Sequence, residues 1–358
     1  MPIQQYGLPA SRIGTIKGRI LKHAMPRIAL GTVGINDDFK KRSGDTVIYR
    51  RWLLKGATVA QPNRFFQDGT GDRTQTYANQ HLVGEGVTPQ AENLTPQDIS
   101  ATVNEYAILY GYTNRTNELY EDDVPKEMTR HTGERKGLVN EMVLFGVLKG
   151  CTNKYYGGAG TSRNTVNGVI SLDRLRRICR NLDDNHATTI TSMLKRGKAG
   201  MYGTSPIARC YPVWVHTDLK PDLRELPGYV PVEKYGDPSM AVDNEVGSCE
   251  EFRFIASPEL VPIQDSGAAV AGTVPLLKST SGTYADTYQV IIGSQDAWGH
   301  IGVDKDKMTP VHKPTGVVDS GDPLGQKGYV GCIWYYHAVI LNNLQMAVYE
   351  VGARALNS

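Results

Sequence analysis

The chain reads as an α+β protein on three observations: β-forming segments at both ends, one long helix between them, and a long polar excursion in the first third without a core of its own. Its 358 residues, 40% of them apolar, are enough for one large domain or two modest ones with a real core. The charges nearly cancel, 39 basic against 37 acidic, so the chain lacks the electrostatic footprint of a dedicated nucleic-acid binder.

Residues 1 to 43 open with a turn-marked stretch, Tyr6-Gly7-Leu8-Pro9. Lys17, Arg19, Lys22 and Arg27 follow, interleaved with Ile20, Leu21, Ile28 and Leu30. The periodicity is weak and predicts at most a short helix. This arm cannot form a domain alone.

A basic β segment, Gly44 to Trp52, leaves the arm, and its mate is expected in Leu82 to Thr95, running into Asp98 to Ile108. Between the two limbs, Gln61 to Gln80 is rich in Asn, Gln, Thr, Gly and Arg, with Phe65 and Phe66 its one adjacent pair of large apolar residues. Connections this long are uncommon inside compact domains and are usually functional or disordered.

Ala101 to Thr113 alternates as a strand through Val103, Tyr106, Ile108, Tyr110 and Tyr112. The strongest helix signal comes next. Asp122 and Asp123 supply a cap and a negative first turn, Pro125 fits the first turn, and Gly150 supplies a stop after Lys149. The packed face is expected at Leu138, Met142 and Phe145, beside Val139, Val143 and Val147. Gly133 and Gly137 share a face, where a close neighbouring backbone would justify about 1 kcal/mol each; a tolerated weak helix is the equal alternative.

A Gly/Asn/Thr/Ser-rich stretch from 152 to 167 marks a change of segment. Ser171 is then a plausible cap for a helix with Leu172, Leu175, Ile178 and Leu182 on one stripe. A strand at Cys210 to Val215, a short helix at Leu219 to Leu226, and strands at Tyr329 to Leu341 and Gln345 to Val351 complete the pattern.

Chemistry finds little foothold. Gly157-Gly158-Ala159-Gly160 lacks the following Lys-Ser or Lys-Thr of a phosphate loop, and G-x-S-x-G, H-E-x-x-H and EF-hand patterns are missing. His216 and Asp218 follow a strand, and a structural histidine is the better reading of them. Arg174, Arg176, Arg177 and Arg180 read as a solvated or ion-paired helix face. Cys151, Cys179, Cys210, Cys249 and Cys332 are odd in number and widely spaced, which fits reduced thiols rather than disulfides or zinc. No catalytic, cofactor or metal residues are assigned. No secretory signal opens the chain, and its longest apolar-leaning stretch, Val330 to Leu341, is too short to span a bilayer.

The order of these segments carries a resemblance. Gly44-Asp45-Thr46 before a basic strand, Glu85-Gly86-Val87-Thr88-Pro89, the Asp98 to Thr113 strand and a long acid-capped helix resemble the major capsid proteins of tailed bacteriophages, with the Hong Kong 97 type fold. Downstream, His216 with Asp222-Leu223-Arg224, Glu245 to Ser248, Arg253-Phe254-Ile255, Ser257-Pro258-Glu259, Asp296-Ala297-Trp298-Gly299 and Asp322 to Gln326 continue it.

The resemblance implies an arm to 43, an extended β-hairpin loop over 44–97, a peripheral domain over 98–164 with its spine helix at 122–149, an axial domain over 165–305, and peripheral return strands over 306–358. It also implies self-assembly into hexamers and pentamers of an icosahedral head around double-stranded DNA, made in the host bacterial cytoplasm. A portal and a separate scaffolding protein are the expected partners, a decoration protein an optional one. Contact with the packaged DNA should be weak and non-specific, and no membrane or cofactor is involved. Arg50, Arg51, Arg64, Phe65, Phe66 and Glu85 are the candidate intersubunit contacts of the loop. A non-viral protein compartment of the same fold is the rival reading, and a soluble hydrolase using His216 and Asp218 a distant third.

Overall fold

A computed structural model describes residues 29–39, 44–63, 79–89, 91–120, 123–196, 202–236, 241, 243–270, 275–279, 282–303 and 309–356. In chain order its strands are β1 (Ile35–Phe39), β2 (Thr46–Leu53), β3 (Thr95–Thr102), β4 (Asn104–Thr113), β5 (Lys154–Tyr156), β6 (Ile190–Arg196), β7 (Tyr202–His216), β8 (Val230–Pro231), β9 (Glu245–Cys249), β10 (Phe252–Ser257), β11 (Tyr288–Gly293), β12 (Trp298–Val303), β13 (Thr309–Lys313), β14 (Lys327–Ile340) and β15 (Met346–Val351). The α-helices are α1 (Asn114–Leu119), α2 (Val124–Leu148), α3 (Leu172–Asp184) and α4 (Lys220–Arg224).

These strands form three sheets. Eight make the large sheet, ordered β5-β15-β11-β7-β10-β9-β8, with β6 also paired to β7. Five make a smaller one, ordered β1-β12-β14-β13, with β4 also on β14. β2 and β3 pair only with each other.

Alternation along β7 explains how the large sheet serves two cores. Side chains of successive strand residues point to opposite faces. Tyr211, Val213 and Val215 join Leu175, Ile178 and Leu182 of α3 in one cluster. Trp214 belongs to a second cluster, with Ile291, Met346 and Val348 of the same sheet, Leu144, Phe145 and Leu148 of α2, and Trp298 of the small sheet. A third joins Ile108, Cys332, Trp334 and Tyr336 of the small sheet to Val139 and Val143 of α2. The long helix therefore packs on both sheets.

Helix α2 starts as its sequence directs. The Asp123 carboxylate accepts the Lys126 N–H at 3.2 Å, Pro125 lies in the first turn, and the last turn is closed at Lys149. Its buried face agrees with expectation at Phe145 and departs from it elsewhere: Met142 is exposed, and Glu141, Leu144 and Leu148 are buried. A helix serving two clusters carries apolar residues over most of its girth, so the amphipathic stripe cannot be phased from sequence alone. A Cβ at Gly133 would meet nothing within 4 Å, so no backbone of the described residues packs closely there.

Other boundaries moved too. The return strand of the hairpin is Thr95–Thr102, whereas 82–89 forms no strand, since Gly84, Gly86 and Pro89 interrupt any ladder. Ser171 precedes α3, but its side chain makes no capping bond. The sheets also cut across the expected boundary at 305: Trp298–Val303 pairs in the small sheet, and Met346–Val351 lies inside the large one between β5 and β11.

Candidate intersubunit surface

The β2–β3 hairpin is held together locally. Its register pairs Ile48 with Ser100, Arg50 with Asp98 and Trp52 with Pro96 on one face, and Val47 with Ala101, Tyr49 with Ile99 and Arg51 with Gln97 on the other. The second face turns toward the body: Ala101 and Leu53 are buried, and a Cβ added at Gly299 of β12 would come 3.5 Å from the Tyr49 hydroxyl. Burial and the neighbouring Asp37 push the Tyr49 phenol well above its ordinary range.

The first face has no cover from the described residues. Ile48 and Trp52 are 61% and 57% exposed. Between them the Arg50 guanidinium grips Asp98 with two bonds of 2.7 Å, which holds the Asp98 carboxyl below the usual carboxylate range. Past the hairpin, Lys55 pairs with Glu92. Beyond that pair, Val59, Leu82, Val83 and Val87 are exposed. Exposed apolar residues in such number along one projection mark an interaction surface rather than scattered surface apolarity.

The loop candidates divide accordingly. Arg50 sits on the open face but is committed to Asp98. Arg51 lies on the body side, where its Nε donates to Gln97 Oε1 at 2.8 Å and desolvation lowers its pKa. Glu85 is exposed in a turn closed by the Val87 N–H on the Gly84 carbonyl, with Gly86 at φ +76°. Arg64, Phe65 and Phe66 lie outside the described residues. Ile48 and Trp52 were missed, although the alternation Thr46, Ile48, Arg50, Trp52 carries the signal.

The outgoing limb of the loop has a second attachment. Asn63 is buried and exchanges amide bonds with Asn342, which donates to Asn63 Oδ1 at 2.8 Å and accepts from Asn63 Nδ2 at 3.4 Å.

The turn that begins at Ala29 is also tightly held. The buried Glu141 carboxylate accepts the N–H groups of Ala29 at 2.8 Å and Leu30 at 2.9 Å. Burial raises its pKa, and the backbone donors oppose that rise. The Trp214 indole donates to the Ala29 carbonyl at 3.0 Å. The Val33 carbonyl accepts from Trp298 Nε1 at 3.2 Å and from His300 Nε2 at 2.7 Å.

The remaining chemical candidates are structural. His216 Nδ1 accepts the Asp218 N–H at 3.2 Å, capping the turn Thr217–Leu219, and desolvation lowers the pKa of the ring. Asp218 in turn accepts from Tyr288 at 2.7 Å. Neither group is left as an unengaged base for hydrolysis. Arg176 forks onto Glu250, and Arg174 donates to the Gly158 carbonyl. Cys179, Asp183 and Glu251 bring three donor atoms within 4.8 Å of one another. Burial and the two carboxylates hold the thiol protonated, and it donates to Glu251 at 2.9 Å. All five cysteines are free thiols, and burial pushes Cys151 and Cys210 up to about 11.

No family model matches the chain. A curated relative, the major capsid protein of Pseudomonas phage KPP21, is 25% identical over 265 residues, which cover 68% of this chain and 66% of that protein, just under two thirds of its length. Among solved structures, the capsid of cyanophage P-SCSP1u is 9% identical and matches 97% of this chain and 93% of its own, with a TM-score of 0.59. The capsid of Ralstonia phage GP4 is 13% identical and matches 98% of this chain and 100% of its own, again with a TM-score of 0.59. The chain thus has the Hong Kong 97 type fold of tailed-phage major capsid proteins, and its sequence is similar to a phage major capsid protein.

Proposed function

We propose that this chain is a major capsid protein, the structural subunit that self-assembles into the icosahedral head of a tailed bacteriophage and has no enzymatic role. The observation that carries this reading is the near-complete coverage by capsid folds, of a chain whose β2–β3 hairpin leaves its apolar face and edges open among the described residues. Unpaired edges and exposed apolar faces are liabilities in a monomer, and strand pairing and burial between copies remove them. Each contact is repeated by symmetry, so modest interface energies suffice for a closed container.

Hexamers and pentamers are the assembly units, and a portal and a separate scaffolding protein complete the head, with a decoration protein optional. The head forms in the host cytoplasm, and the chain resides in the virion. Among the described residues no helix is long and apolar enough to cross a membrane. A net charge of +2 suits a wall that encloses double-stranded DNA without gripping it, because each neutralised phosphate adds affinity and salt dependence.

Negative-stain microscopy of the purified chain, with co-expressed scaffolding protein, tests the proposal. Closed shells are expected. Compact monomers alone, persisting at high concentration, would overturn it. Recovering packaged protein instead of DNA from shells made during infection would favour the compartment reading.

A further inference from the structure

We infer that the turn Ala29–Gly34 is a wedge that fixes the relative setting of the two sheets, with Glu141 as its positioning residue. Three elements grip this six-residue turn at Ala29, Leu30 and Val33, each by side-chain bonds to backbone groups. The long helix holds the Ala29 and Leu30 N–H groups through Glu141. The large sheet holds the Ala29 carbonyl through Trp214. The small sheet holds the Val33 carbonyl through Trp298 and His300. His300 is fixed in turn: its Nε2 faces the Val33 carbonyl, and its Nδ1 shares a hydrogen bond with the Tyr336 hydroxyl at 3.1 Å.

Packing supports the same reading. Leu30 is fully buried in the cluster that also holds Trp214 and Trp298, whose rings meet edge to face at 5.4 Å. Gly34 has φ +111°, and a Cβ there would lie 2.6 Å from Trp298 Nε1 and 2.8 Å from His300 Nε2. The turn therefore cannot shift toward the small sheet. On its helix side lies a cavity of about 260 Å³, lined by Gly31, Gly34, Gly137, Asn140, Glu141 and His300. Glu141 is thus the contact that keeps the turn from slipping into open space.

The experiment compares Glu141→Leu and Trp214→Phe with the unaltered full-length chain by hydrogen exchange, and then measures shell diameters. Leucine has about the size of Glu141 but no acceptor for the N–H groups of the turn; phenylalanine removes the indole donor of Trp214 together with part of its ring volume. Amides of Ala29 and Leu30 should exchange about tenfold faster in each variant, the equivalent of one lost hydrogen bond. Faster exchange should extend to β12 and the middle of β7, and shells should become heterogeneous in diameter. Acceleration confined to Ala29 and Leu30, with β7, β12 and shell diameter unchanged, would reduce Glu141 to a local fixture and overturn the wedge. The shell readout rests on the proposed capsid function; the exchange readout does not, so failure of one is distinguishable from failure of the other.

Discussion

Trp214 and Trp298 come from different sheets, yet their rings meet edge to face with centroids 5.4 Å apart, and each indole donates to the backbone of one short turn. That contact ties together the regions that the strand pairing leaves separate. Both rings are fully buried. Trp298→Ala should cost about 3–5 kcal/mol, through the cavity left in the core; the Val33 carbonyl keeps its bond from His300. Chemical denaturation of the dissociated subunit measures it; a loss below 1 kcal/mol would mean that the tryptophan pair is not a keystone.

Glu350 on β15 is buried completely, and Arg163 reaches it with two bonds of 3.0 and 2.7 Å. Gln289 adds one at 3.2 Å. Arg163→Met should destabilise the subunit by about 2 kcal/mol, because the carboxylate keeps its desolvation and loses its charge partner. Exposure of the arginine limits the figure. Adding Glu350→Gln should recover part of the loss in a double-mutant cycle.

Ile48 and Trp52 touch solvent in the subunit, so Ile48→Ser with Trp52→Ser should move monomer stability by no more than about 0.5 kcal/mol. Shell yield should fall sharply. Normal shells from this variant would remove the hairpin face from the interface.

The loop tip and its anchor separate by design of the variant. Asn63→Ala removes the acceptor of Asn342 Nδ2, whose Oδ1 keeps the Leu344 N–H, and should cost about 1–2 kcal/mol. Replacing 64–78 by a Gly/Ser tract of equal length keeps Asn63 and should leave the melting temperature unchanged while lowering shell stability. Deleting the whole of Gln61 to Gln80 would confound the two effects, since Asn63 is part of the core.

Desolvation lowers the pKa of both His216 and His337. The unfolded chain binds protons at these sites more readily than the folded one, so stability is lost as pH falls below about 6.5 and stops falling once pH passes below the folded values. His216→Asn preserves an acceptor for the Asp218 N–H and removes one titration. Its thermal stability should therefore decline less than wild type between pH 7.5 and pH 5.5, at about those bounds; equal slopes would refute the assignment.

Local sequence determined the elements whose signals are local. Asp123, Pro125 and Gly150 bracket the long helix, Leu175, Ile178 and Leu182 phase α3, and the ordered series from Gly44 to Gln326 carries the fold family. Tertiary structure alone decided what those elements touch. The buried side of α2 depends on two clusters at once, so Met142 was expected inward and lies outward. The partner of β2 depends on long-range register, which moved from 82–95 to Thr95–Thr102. Glu141 carried no signal, because its role consists of backbone donors more than a hundred residues away in sequence. Capping and periodicity act over one or two turns of chain and can be read there; burial, register and side-chain bonds to distant backbone exist only once the chain has closed on itself.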